Sequence, residues 1–497
     1  MKLKFLKKLC ILIGMTLLLA ACGETAGQNE TAASLSDEAA TSAVREESTE
    51  VTSAPAVQDE METSSDPTAR EETETASAPA VQDETEAVSG SVVQEETVIV
   101  PAPEGEIIVA NLRGEDSFFS ERVTTFSREN PVYGIEYQAA YQEEEADRLL
   151  LETANGNGPD ILFLTRQDME SLQTQGILGD LGQLISQDTL EVLLPGVLQM
   201  GTYDEELVAV PLSVAVITLV TSRDYWQEDS WTTEDILSIM QDQSEPSGLF
   251  LDITGQDTYD YNMYYLIGMD IGNSPFIKDG NCRFDSEEFR ELLTLVKEMT
   301  QKANNSSSPT NRFTPLIEGE YLGIGYYMYN MKALCDIYDK MGDNANLVGY
   351  PSDTGSCQYL SDYGVLVVNH TAMEKAGVKE LVNYLLSLES QQMLSYEISV
   401  RLDIPESQVV YNSAGNNYFW QFPNNKGYAL SSKEDGSSYL EEYLELLESA
   451  VPTAVSSDDI FDIVMEEANG YFQGDKDLDS VVDVIQRRVQ LYLDERK

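Results

Sequence analysis

Tyrosine is the side chain this sequence supplies most freely for holding a small polar molecule. Its ring offers a flat apolar face and its hydroxyl a polar edge. The 497-residue chain has 26 tyrosines, and many come in runs: Tyr259-Asp260-Tyr261-Asn262-Met263-Tyr264-Tyr265, then Gly325-Tyr326-Tyr327-Met328-Tyr329, with Tyr363 in Ser361-Asp362-Tyr363-Gly364. Such rings stack on the C–H faces of sugars, although a tyrosine in a run of this kind also makes good core. Trp420, in Tyr418-Phe419-Trp420, has the same two uses. The polar complement sits just past apolar runs. Arg113, Glu115 and Asp116 lie in Asn111-Leu-Arg-Gly-Glu-Asp-Ser117, and Arg166 follows Asp160-Ile-Leu-Phe-Leu164. These groups can hydrogen-bond sugar hydroxyls or a cationic ligand, whereas Asp160 reads as a turn residue bonding backbone amides.

Reaction chemistry is poorly provided for. The one histidine, His370, follows the strand pattern Gly364–Asn369 and reads as a surface turn residue. A multi-histidine metal site is excluded, and a Ser/His or Cys/His pair could use only that residue. Asp475-Lys-Asp-Leu-Asp479 has the start of a calcium loop, but Ser480 stands where the tight-turn glycine belongs and Gln486 where the bidentate glutamate belongs. It reads instead as a helix N-terminus. There is no phosphate-binding GxxxxGK[ST] loop and no CxxC. Cys282, Cys335 and Cys357 are compatible with one disulfide or with three thiols. The reading is a binding protein, not an enzyme, with no cofactor and no metal. With 87 acidic and 30 basic residues the net charge is −57, which argues against nucleic acid as a partner.

The elements that carry these residues begin late in the chain. Lys2, Lys4, Lys7 and Lys8 precede a short apolar stretch, Leu9 to Ala21, ending in Leu19-Ala-Ala-Cys-Gly23. This resembles a bacterial lipoprotein signal, which implies a signal peptide over 1–21, a lipidated Cys22 and anchorage by two or more acyl chains such as palmitate. Residues 22–105 then lack aromatic residues and lysine. Between Gly23 and Gly105 stand 20 acidic and two basic residues. Ser53-Ala-Pro-Ala-Val-Gln-Asp-Glu60 returns unchanged at Ser77 to Glu84, and Ser91-Val-Val-Gln-Glu-Glu96 is a worn third copy. Such a segment buries too little apolar surface to offset chain entropy and is expected to be a disordered acidic tether.

From 106 onward β-branched runs alternate with helical patterns, predicting an α/β fold with mainly parallel sheets. Strands are expected at Glu106–Ala110, Asp160–Leu164 and Val214–Thr221. Helices are expected at Arg122–Glu129, Glu143–Thr153 and Ser171–Gln175, with a helix start at Trp231–Ile236. The turn Gly158-Pro-Asp-Ile161, the segment Gln175-Gly-Ile-Leu-Gly-Asp-Leu181 and Ala209-Val-Pro211 before a strand occur in order. They are followed by Phe313 with Glu318-Gly-Glu320, Gly349-Tyr-Pro351, Ala372–Gln392, Arg401-Leu-Asp-Ile-Pro405, Val464–Ala468, Tyr471–Gly474 and Val482–Glu495. Together these resemble the extracellular solute-binding proteins of bacterial ABC importers, in the group that includes the maltose-binding protein.

The resemblance implies a two-lobed periplasmic-binding-protein-like fold over 106–497, hinged, with ligand in the cleft. Lobe one would take about 106–212 plus part of 320–400, and lobe two about 213–320 plus part of the C-terminal region. The chain would cross near Val210–Thr221, return around 310–330, and cross again near the end. Arg113, Glu115, Asp116 and Arg166 would then lie at carboxyl ends of strands facing the cleft, with Tyr261 and Tyr264 on lobe two and Tyr326, Tyr327 and Tyr363 lining it. The implied function is capture of a sugar or oligosaccharide for the importer's membrane subunits, on the extracytoplasmic face of the cell membrane. The competing readings are a surface-anchored carbohydrate-active hydrolase using paired carboxylates, and a binding protein in a sensor or adhesion role.

Overall fold

The computed structural model describes residues 106–495, apart from 115–116, 242–245, 253–256, 268–273, 304–312, 353–354, 395 and 454–456. The signal sequence, Cys22, the tether, Glu115 and Asp116 therefore lie outside the described residues. Among the described residues no helix is long and apolar enough to cross a membrane.

The strands that position the site are β1 (Ile107–Asn111), β2 (Ile135–Ala139), β3 (Ile161–Leu164), β4 (Val210–Pro211), β5 (Ser213–Ser222), β6 (Gly248–Leu251), β7 (Tyr321–Met328), β8 (Tyr359–Asp362), β9 (Val365–Val368), β10 (Ile398–Ser399) and β11 (Val451–Pro452). The helices needed are α1 (Ser117–Glu129), α2 (Glu143–Ala154), α3 (Arg166–Gln173), α4 (Tyr259–Ile267), α5 (Glu287–Ala303), α6 (Ser457–Phe472) and α7 (Leu478–Asp494). Each expected strand and helix is present within a few residues. On α1, Phe119, Val123 and Phe126 recur at helical spacing and are buried. The acidic segment before α7 is a helix N-terminus: Asp477 caps it by accepting the Ser480 amide at 2.9 Å.

Two sheets result. The first has the order β2-β1-β3-β9-β4 and the second β11-β8-β5-β7-β6, with β10 also pairing on β5. All ten residues of β5 are buried, as its largely apolar, β-branched run requires of a strand covered on both faces. Its alternate side chains serve different cores: Val214, Val216 and Val220 pack with the first, Ile217 and Leu219 with the second.

The sheets are more mixed than the sequence suggests. β1 is parallel to β2 and β3, and β6 to β7, but β5 is antiparallel to β7, β8 and β10. The reason is the crossover. β5 enters the second sheet from the first across Leu212, so it runs opposite to strands whose carboxyl ends face that junction. The return also differs from expectation. Residues 321–328 belong to the second sheet, and the chain comes back at Tyr363–Gly364, between β8 and β9.

Candidate functional site

The registers bring the carboxyl ends of both sheets to one place. Leu164 of β3 and Pro211 of β4 both lie opposite Val365, the first residue of β9. Asp362 of β8 lies opposite Val214, and Met328 at the end of β7 opposite Val216. The carboxyl ends of β3 and β7 therefore face the crossovers at 211–213 and 362–365, where an open α/β sheet offers its ligand site.

Arg113, two residues beyond β1, donates from its amide to Asn111 Oδ1 at 2.8 Å and from Nε to the Tyr363 carbonyl at 2.9 Å. Gly364 makes this approach possible. Its φ is +146°, and a Cβ there would come within 2.8 Å of the Phe163 ring and 3.1 Å of Arg113 Cγ. Arg166 is the first residue of α3, behind the Thr165 cap. Its Nη1 donates to the Thr453 carbonyl at 2.5 Å, lies 3.3 Å from Thr453 Oγ1 and stands 3.7 Å from Asp362 Oδ2. Burial raises the Asp362 carboxyl above its usual range, and Arg166 and Arg113 pull it part of the way back. Both arginines are thus held by the crossover itself.

The tyrosines divide. Tyr326 and Tyr327 are neighbours on a strand and point to opposite faces. Tyr326 is buried in the core with Phe313, ring centroids 5.8 Å apart, which removes it from the candidate ligand contacts. Tyr327 is half-buried, and its ring lies 6.2 Å from that of Tyr329, which is 41% exposed. The hydroxyl of Tyr363 is pushed up by burial and then by the charges of Glu397, Tyr329 and Tyr327. On lobe two, Tyr261 is exposed and donates its hydroxyl to Asp252, a buried carboxylate just past β6. The Tyr265 ring follows at 6.3 Å from Tyr261. Burial, then Asp252 and Tyr327, raise its hydroxyl. Gly325 leaves room for it, since a Cβ there would lie 2.1 Å from Tyr265 Oη. Tyr264 instead meets Phe461 of α6 edge-on at 5.3 Å, a packing role.

The structure thus brings together Arg113, Arg166, Tyr261, Tyr327 and Tyr363, and adds Asp252, Tyr265, Tyr329, Asp362 and Glu397, which sequence reasoning did not select. Their signal was positional: Asp252 follows a short apolar strand, and Tyr265 and Tyr329 end the two tyrosine runs already noted. His370 is exposed, with Nδ1 3.0 Å from the Ile177 carbonyl. Among the described residues Cys282, Cys335 and Cys357 form no disulfide with one another. Among the described residues no group of three or more histidine, cysteine, aspartate or glutamate side chains could hold a metal ion.

Two α/β lobes sharing their crossovers, with polar and aromatic side chains gathered at the junction, define a two-lobed binding protein. The profile of bacterial extracellular solute-binding proteins matches residues 121–417, more than half of the chain, and the chain belongs to that family. Among solved structures it is similar to the sugar-binding protein MalE of Xanthomonas citri, with 16% identity, TM-score 0.51, and coverage of 79% of this chain and 98% of that one. It is also similar to a family 1 extracellular solute-binding protein of Alicyclobacillus acidocaldarius, with 13% identity, TM-score 0.50, and coverage of 79% and 99%. At these identities the likeness is one of fold. No curated protein sequence matches the chain.

Proposed function

We propose that this protein captures a sugar or oligosaccharide between its lobes and delivers it to the membrane subunits of an ABC importer. The observation that carries the reading is the gathering of Tyr261, Tyr327, Tyr329 and Tyr363 with Glu397 at the lobe junction, backed by the buried Tyr265 and Asp252. Rings supply stacking faces for C–H surfaces, and hydroxyls and carboxylates supply partners for the sugar's edge. The Xanthomonas protein of similar fold is a sugar-binding protein, which points the same way. The solute is neutral or cationic. Arg113 and Arg166 are occupied by Tyr363, Thr453 and Asp362, and a chain of net −57 slows the approach of anions.

A thermal-shift screen of mono- and oligosaccharides, polyamines, peptides and organic anions tests this. A ligand that binds only the native state raises the melting temperature, and a saccharide is expected to do so and to be recovered unchanged. A shift with organic anions alone would overturn the reading, and recovery of a shortened saccharide would replace it with the hydrolase.

We also propose that Cys22 is lipidated and holds the protein on the extracytoplasmic face of the cell membrane through residues 23–105 as a tether. Lobe one would comprise about 106–212 plus part of 320–400. The basic start, short apolar core and Ala20-Ala-Cys22 support the anchor. Cys22→Ser is expected to leave the detergent phase on partitioning, and wild-type retention there would refute the anchor.

A further inference from the structure

We propose that Arg166 is the positioning residue of the hinge: it clamps two of the interlobe connections together and sets the angle of the ligand-free lobes. Several connections join the lobes among the described residues. The first is at Leu212 and the second at Tyr363–Gly364, and β10 at Ile398–Ser399 then pairs again with β5. A third, later connection leaves the helix Leu440–Ser449, which packs on Pro195–Gly201 beside β4, and passes through β11 toward α6, which packs on α4 of lobe two.

Arg166 belongs to none of these connections. It is rooted in lobe one, at the first turn of α3, and reaches two of them. On the second it meets Asp362, and on the third the backbone carbonyl and hydroxyl of Thr453. The side chains of Arg166 and Asp362 are 11% and 13% exposed, so the charged contacts are largely withdrawn from water, where they are strong. A hinge works because a few residues absorb changes in φ and ψ. A guanidinium bonded to a hinge carbonyl and beside a hinge carboxylate opposes such changes in both strands at once. Arg113, on the Tyr363 carbonyl, adds a second tie to the same connection. All three contacts are made by the one nitrogen Nη1, while Nε is buried with no hydrogen-bond partner among the described residues, so the tie depends on the reach and charge of that nitrogen. This inference rests on the two-lobed architecture and not on the identity of the solute.

The test is an interlobe distance measured without ligand. Leu151 on α2 and Leu491 on α7 are 55% and 61% exposed, one on each lobe. Spin labels placed there through a genetically encoded, non-cysteine handle report the distance by pulsed electron resonance. In the wild-type chain the distribution should be narrow. In Arg166→Met it should broaden about twofold or shift as alternative lobe angles become populated, while the near-ultraviolet circular dichroism of each lobe's packed aromatics stays unchanged. Arg166→Lys keeps the charge with a shorter reach, so its distribution should fall between the two, as should that of Asp362→Asn. Should Arg166→Met fail to fold, the lysine and asparagine variants decide. Distributions superimposable on wild type in every folded variant overturn the proposal.

Discussion

Tyr326→Ala and Tyr327→Ala are expected to fail in opposite ways, although the residues are adjacent. Tyr326 fills core against Phe313, so its truncation should cost about 3–5 kcal/mol of stability while the molecules that remain folded bind saccharide normally. Tyr327 is half-buried beside Tyr329, Tyr265 and Tyr363. Its loss removes a stacking face, so affinity should fall about tenfold, equivalent to roughly 1.4 kcal/mol, with a much smaller change in the unfolding midpoint. Urea melts and titration calorimetry with the saccharide found by the screen separate the two effects. Loss of affinity in folded Tyr326→Ala, with Tyr327→Ala unaffected, would show that the ligand lies on the other face of β7.

Asp257→Asn is expected to stabilise the protein at pH 7.5 and to have little effect below pH 4. Asn262 Nδ2 donates to Asp257 Oδ1 at 2.6 Å and to Thr300 Oγ1 at 3.0 Å, while its Oδ1 accepts the Phe250 amide at 3.1 Å. This ties β6, α4 and α5 together. Asp257 Oδ2 is buried with no hydrogen-bond partner among the described residues. Burial raises the carboxyl from 3.8 to about 6, against the lowering effect of Asn262 and Thr300. The native state therefore holds this proton more tightly than the unfolded chain does. The group's contribution to stability is fully present below about pH 4 and is lost as pH rises through about 6. Asparagine keeps an acceptor for Asn262 and removes the charge, so the gain at pH 7.5 should be on the order of 1–3 kcal/mol. A gain independent of pH, measured by denaturant melts from pH 4 to 8, would assign it to some cause other than titration.

The parts of this molecule legible in its sequence are those set by local pattern. The apolar runs after Glu106, Asp160 and Ser213 become β1, β3 and β5, and the helices before Glu129 and Ala154 follow the spacing of their buried residues. The positions of Arg113 and Arg166 just beyond strands were enough to bring both to the lobe junction. What could not be read depends on register and on long-range pairing. Whether Tyr326 or Tyr327 faces the cleft is decided by the parity of β7 against β5. That Arg166 would meet Thr453 is decided by β11 pairing with β8 nearly three hundred residues further on. Asp252 and Glu397 stand beside short strands whose local patterns are too brief to mark them as cleft positions.

The order of strands in the first sheet has a consequence for synthesis. β3 pairs on one side with β1 and on the other with β9, and β9 begins only at Val365. A chain made from its N-terminus therefore has four of the five strands of this sheet available long before β9, the one that joins β3 to β4. Throughout that interval β3 presents Ile161–Leu164 as a bare apolar edge, the kind of template that invites pairing with another nascent chain. Lobe two begins within the same gap and is itself completed only by β11, α6 and α7 near the end of the chain. The hinge that lets the finished protein grip a ligand thus commits the growing one to a long stretch of vulnerability, ended only when residues 365–368 arrive.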